Sequence, residues 1–92
     1  MRKIIYSSQF KRDARKQNIE VLLSYELAEV LDCLRNAKPL PSQRLDHSLQ
    51  GKWKGFRDCH IKNDLVLIYR IRENTVELVR LGSHAELALT EK

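Results

Sequence analysis

The segment from Phe56 to Leu81 constrains the fold more than any other. Three runs rich in β-branched, aromatic and leucine residues occupy about Phe56–Ile61, Leu65–Arg72 and Thr75–Leu81. Only Lys62-Asn63-Asp64 and Glu73-Asn74 separate them. Links that short, built from turn formers, leave room for hairpins and none for crossovers, so the three strands are neighbours and antiparallel. Leu65-Val66-Leu67-Ile68-Tyr69 is apolar at every position, which marks a strand buried on both faces in the middle of a sheet.

Upstream, Lys3-Ile4-Ile5-Tyr6 reads as a first strand, and Ser7 or Ser8 caps a helix over about Gln9 to Gln17. Asn18 breaks and recaps the chain. Ile19, Leu22, Leu23, Leu27, Val30, Leu31 and Leu34 then follow a 3.6-residue period, with Glu20, Glu26, Glu29 and Asp32 opposite them. This spacing predicts one continuous second helix ending near Asn36, because Pro39 disfavours helix at Lys38. From Lys38 to Gly55 no period appears, and Pro39, Pro41, Gly51 and Gly55 punctuate a long loop. Ser83 caps a short helical turn after the last strand. The expected architecture is α+β, in the order β-α-α-β-β-β with a terminal turn, a helical hairpin covering one face of a mostly antiparallel sheet.

Ninety-two residues are enough for one core, so residues 1–92 are read as a single domain. No apolar run approaches the ~20 residues of a membrane span, and the N-terminus lacks a signal-peptide core. Cys33 and Cys59 have no metal-ligand spacing and read as reduced core thiols of a cytoplasmic protein. The net charge of +5 is uneven: residues 1–18 carry six basic and one acidic side chain, and residues 38–72 carry eight and three. Lys11, Arg12, Arg15 and Lys16 form i,i+4 pairs of like charge on the first helix, a repulsion that an anionic partner would relieve. A cationic surface of this kind attracts nucleic acid or an acidic protein.

The chemistry gathers between Asp46 and Asp64, where nineteen residues hold two of the three histidines, the only tryptophan and four basic side chains. Alternation along the strand puts Phe56, Asp58 and His60 on one face and Arg57, Cys59 and Ile61 on the other. Cys59 and Ile61 suit a core, which sends Asp58 and His60 to solvent or a cleft. His47 in the loop and His84 after the last strand are free to join them, and Arg80 approaches if the register allows. Histidine moves protons near neutral pH. Cleavage of RNA by its own 2′-hydroxyl needs one base, one acid and cations for the phosphate. Zinc fits poorly, since the histidines lack i,i+3 or i,i+4 spacing and neither cysteine joins them.

The pattern Asp46-His47-x-Leu49-x-Gly51-x-Trp53-Lys54-Gly55-x-Arg57-Asp58-x-His60-Ile61 is followed by Asp64 before Leu67-Ile68-Tyr69, and then by Arg80-x-Gly82-Ser83-His84. Together these resemble the YafQ branch of the RelE/ParE toxin superfamily. The resemblance implies a ribosome-dependent endoribonuclease, the toxin of a bacterial type II toxin–antitoxin pair, which cuts mRNA in the ribosomal A site without metal or cofactor. It implies three partners: a cognate antitoxin, the ribosome and mRNA. The family's catalytic residues fall on His47, His60, Asp64 and His84. On this reading Arg80 stabilises the transition state, while Lys52, Lys54 and Arg57 hold RNA backbone. Lys11, Arg12, Arg15 and Lys16 face ribosomal RNA or an acidic antitoxin segment. One position departs: where the family commonly has an aromatic residue to stack on a base, this chain has Ala88, and Phe56 is the candidate substitute. The alternatives are a non-catalytic gyrase inhibitor of the same superfamily, which lacks the histidine set, and an impaired RNA-binding relic.

Overall fold

The computed structural model describes residues 1–88. Its elements are β1 (Lys3–Tyr6), α1 (Ser8–Arg15), α2 (Ile19–Leu22), α3 (Tyr25–Arg35), β2 (His47–Ser48), β3 (Arg57–Lys62), β4 (Leu65–Arg72) and β5 (Thr75–Gly82). They build one five-stranded sheet in the order β1-β5-β4-β3-β2. β1 runs parallel to β5, and every other neighbouring pair is antiparallel. The expected α+β architecture is the observed one, and β4 is central as its apolar run requires.

Serine and asparagine shape the helical part. Ser7 caps α1 by accepting the Phe10 N–H at 2.9 Å, and Asn18 caps α2 by accepting that of Val21 at 3.0 Å. Each such cap contributes about 1 kcal/mol by satisfying an otherwise orphaned donor. The continuous second helix is corrected. Ser24 interrupts it, accepting the Leu27 N–H at 3.3 Å while donating to the Val21 carbonyl at 2.8 Å. A serine hydroxyl competes with the backbone ladder, so it starts a new helix more readily than it continues one. The break leaves Ile19 and Leu23 exposed, and only the later part of the apolar stripe enters the core.

Phe10, Leu27, Val30 and Leu34 pack from the helices onto Cys59, Ile61, Leu67, Tyr69 and Leu78 of the sheet. Each fully buried side chain of this size contributes roughly 1.5–3 kcal/mol. Both cysteines are buried and unpaired, and burial pushes the Cys59 thiol pKa far up.

The opposite face of the sheet is also covered, which revises the long loop. Residues 38–55 contain two short 3-10 turns, Ser42–Arg44 and Gly51–Trp53, with β2 between them. They lay Leu49, Trp53 and Phe56 over Val66 and Ile68, and Leu87 closes this second core from the chain's other end. The Trp53 indole N–H donates to the Leu87 carbonyl at 3.4 Å, tying loop to terminal turn. Gly51 and Gly55 have φ of 66° and 96°, conformations that other residues adopt only with strain. After β5 the described residues, up to Ala88, form a capped turn. The Ser83 hydroxyl accepts the Glu86 N–H at 3.1 Å, and the Glu86 carboxylate accepts the Ser83 N–H at 2.9 Å, a reciprocal capping box.

Candidate active site

The sheet register assembles the site. β2 sets His47 directly across from Asp58 on β3. Two residues along β3, His60 stands opposite Val66 of β4, and Val66 stands opposite Gly82 of β5. His84 follows Gly82 by two residues, and Asp64 sits in the β3–β4 turn that abuts it. Four sequence-predicted residues thus converge: His47, His60, Asp64 and His84.

Two of the histidines are oriented by acceptors. His84 Nδ1 lies 2.8 Å from Asp64 Oδ1, and its backbone N–H donates to the same oxygen at 3.2 Å. His47 Nδ1 lies 2.8 Å from the Leu45 carbonyl oxygen and 3.1 Å from Asp58 Oδ1. A carbonyl or carboxylate oxygen can only accept, so Nδ1 carries the hydrogen in both rings. The proton that each ring exchanges is then at Nε2. Leu45 holds this geometry from a left-handed conformation, φ 52° and ψ 41°, that turns the chain into β2.

His60 lies between them chemically. Its ring centroid is 5.0 Å from that of His84, with the planes at 60°. Burial lowers its pKa first, and the neighbouring His84 and His47 lower it further, while Asp58 and Asp64 pull the other way. The net effect favours neutral imidazole. The Asp64 carboxyl is held below its usual pKa, chiefly by the bond from the His84 ring and then by the His84 amide.

Asp58 corrects an expectation. Alternation along β3 sends it to solvent or a cleft with His60, yet it is 1% exposed. The face is the predicted one, but the second core closes over it. Its importance as the partner of His47 is visible in sequence only as a carboxylate two residues from His60.

The predicted cations are distributed more widely. Arg80 is bound by Asp13 of α1 through Nε at 2.7 Å and Nη2 at 3.1 Å, and Asp13 also accepts the Leu81 N–H at 2.9 Å. Sequence reasoning missed Asp13, although it is the one acid among residues 1–18. Arg57 projects to the opposite face of β3 from His60 and pairs with Asp46 at 3.0 Å. Tyr69 donates to the same carboxylate. Lys52 and Lys54 are exposed at the Gly51–Trp53 turn, and Lys11, Arg12, Arg15 and Lys16 lie at the surface of α1. Phe56 is committed to packing: Trp53 meets it edge-on at 5.6 Å and the Arg70 guanidinium lies 4.7 Å over its ring. Among the described residues, no group of three or more His, Cys, Asp or Glu side chains is arranged to hold a metal ion.

The arrangement suits proton transfer at two imidazole edges beside a third ring whose pKa is lowered. Comparison with known proteins gives the family. The family model described as the bacterial toxin of a type II toxin-antitoxin system, YafQ, matches residues 2–89. The mRNA interferase toxin YafQ of Escherichia coli strain K12 is 38% identical over 89 residues, covering 94% of this chain and 95% of that protein. The crystal structure of YafQ from E. coli strain BL21(DE3) superposes with a TM-score of 0.83 at 35% identity, covering 95% of this chain and 98% of that one. YafQ in the E. coli DinJ-YafQ toxin-antitoxin complex gives a TM-score of 0.74 at 36% identity, covering 94% and 96%. Family match, sequence identity and shared fold thus converge, and the chain belongs to the YafQ family of type II toxin–antitoxin toxins.

Proposed function

We propose that this toxin is an endoribonuclease that cuts mRNA on the ribosome and is neutralised by an antitoxin of the DinJ kind. Its Escherichia coli relatives carry the name mRNA interferase toxin YafQ, and YafQ is known in complex with DinJ. The observation that carries the chemistry is the pair of imidazoles, His47 and His84, each with Nδ1 engaged by an acceptor and Nε2 as the proton-exchanging atom.

In the reaction, one Nε2 takes the proton of the 2′-hydroxyl as O2′ bonds to phosphorus. The P–O5′ bond breaks, and the other, protonated Nε2 gives its proton to the leaving 5′-oxygen. The products are a 2′,3′-cyclic phosphate and a free 5′-hydroxyl, and the enzyme ends with its proton moved from one ring to the other. Positioned acid and base groups of this kind contribute roughly 10²–10⁴-fold each. Asp64 orients His84, and Asp58 does the same for His47. His60, favoured as neutral, offers hydrogen bonds to the phosphate region without adding a competing charge. The Asp13 pair uses Nε and Nη2 of Arg80, so the remaining guanidinium hydrogens are those that meet charge developing on the phosphate. Lys52, Lys54 and Arg57, with Lys11, Arg12, Arg15 and Lys16 of α1, supply cations for RNA backbone.

We read residues 1–92 as one toxin domain, a reading supported by all five strands joining one sheet. No helix among the described residues is long and apolar enough to cross a membrane. A ribosomal target implies a cytoplasmic protein.

The test is induction in growing cells, with ribosome-bound mRNA mapped for cuts. Wild-type protein should arrest growth and leave cuts at the A site, while His84→Ala and His60→Ala should do neither. Full arrest by both variants would overturn the ribonuclease reading.

A further inference from the structure

We propose that a groove beside His60 is a nucleobase subsite, with Tyr25 as its stacking platform. The inference rests on the ribonuclease reading and deepens it by naming a residue that selects the sequence to be cut. The groove has a volume of about 550 Å³, and its walls include Tyr25, Gln43, Leu45, His60, Lys62 and Asn63. That size falls within the roughly 300–1,000 Å³ of small-ligand sites.

Its position follows from the shortness of β2. That strand pairs only with Arg57 and Asp58, so among the described residues β3 has no strand partner on this side from Cys59 to Lys62. The groove lies along this free edge and shares His60 with the site, which makes it continuous with the cutting centre.

Its walls suit a base better than a peptide strand. Tyr25 is 70% exposed and Leu45 is 56% exposed, two large side chains of the groove wall left on water. Both are held by backbone: Tyr25 is the first residue of α3, fixed by the Ser24 cap, and Leu45 stands in its left-handed turn. Every base has a π-face that stacks on an aromatic ring, whatever its identity. Gln43 and Asn63 are exposed amides that can donate to and accept from a base edge. Lys62 brings an ammonium group, held at the surface by Glu26 at 3.0 Å and able to exchange that partner for phosphate. An added peptide strand would need the edge carbonyls of β3, yet the Ile61 carbonyl already accepts from Arg44 at 3.2 Å. Arg44 is itself fixed by Glu29 at 2.7 Å and forms the floor.

Wild type, Tyr25→Ala and Tyr25→Phe are to be compared on ribosomes carrying mRNA randomised around the A-site codon. Cut positions, kcat and KM are read together, and circular dichroism checks folding. The expected result is a KM raised roughly ten-fold or more by Tyr25→Ala, in line with the loss of one stacked base, with relaxed nucleotide preference and a smaller change in kcat. Tyr25→Phe should keep both KM and preference, since the ring remains. If the folded Tyr25→Ala protein keeps wild-type KM and preference, the subsite is overturned while the ribonuclease reading stands. If it instead loses only antitoxin affinity, the face belongs to the antitoxin and the subsite is likewise overturned. If wild type makes no cut, the ribonuclease reading itself fails, and the subsite with it.

Discussion

His84 meets Asp64 twice: its ring Nδ1 and its backbone nitrogen both reach one carboxylate oxygen, at 2.8 and 3.2 Å. One hydrogen bond would leave the ring free to pivot, whereas two fix the residue and its imidazole together. Asp64→Ala should therefore lower kcat on the order of 10²-fold, with Asp64→Asn intermediate because an amide oxygen still accepts. Single-turnover cutting of ribosome-bound mRNA measures this. Equal rates for wild type and Asp64→Ala would remove the pair from the mechanism. Since the Asp64 pKa is depressed, the pair persists above the ordinary carboxylate range and is lost as pH falls through the lowered value.

His60 should titrate below 6.5, because burial and the adjacent His84 and His47 disfavour its charged form. NMR of the ring protons in wild type and His84→Gln checks this, with the midpoint moving upward in the variant. The same depression has a sign for stability. The folded state binds the proton less well than the unfolded chain, so His60's contribution is fully present above the unfolded pKa and is lost as pH falls below it. A His60 midpoint at or above 6.5 would contradict the burial and charge argument.

Asp13 and Arg80 tie α1 to β5, and Asp13 is 6% exposed. Burial alone would raise the Asp13 pKa, but its bonds to Arg80 and the Leu81 amide outweigh that and lower it. Asp13→Ala leaves a half-buried guanidinium and the buried Leu81 N–H without this acceptor, which should cost about 2–4 kcal/mol. Urea unfolding monitored by circular dichroism reads the change. A destabilisation below about 0.5 kcal/mol would show that the pair is no more than a surface ion pair.

The α1 cations predict a salt effect. If Lys11, Arg12, Arg15 and Lys16 neutralise phosphates, replacing all four with Gln should flatten the dependence of ribosome affinity on salt. The logarithmic slope should fall by roughly 0.7–0.9 for each phosphate that is no longer neutralised. Binding measured between low and physiological salt decides it, and an unchanged slope would take α1 off the RNA.

Much of the fold is legible in the chain because local rules and global packing agree. The hairpins of β3, β4 and β5 follow from links too short for any other connection, and the central place of β4 follows from its unbroken apolar run. Ser7 and Asn18 cap helices as short polar side chains do. The break at Ser24 is not legible, because the apolar period runs straight through it. That period records which side of a helix is oily, not where a hydroxyl takes over from the backbone ladder.

Strand order in the C-terminal half and the family can be read from the chain alone, which also names His47, His60, Asp64 and His84 as site candidates. How those four residues are held is a property of the folded molecule. Asp58 is a buried partner of His47 because residues 49–56 and Leu87 fold over its face, and Arg80 acquires Asp13 from a helix 67 positions away. Burial and pairing of charge depend on what the rest of the chain lays over a residue, and periodicity within one strand or helix carries no record of that.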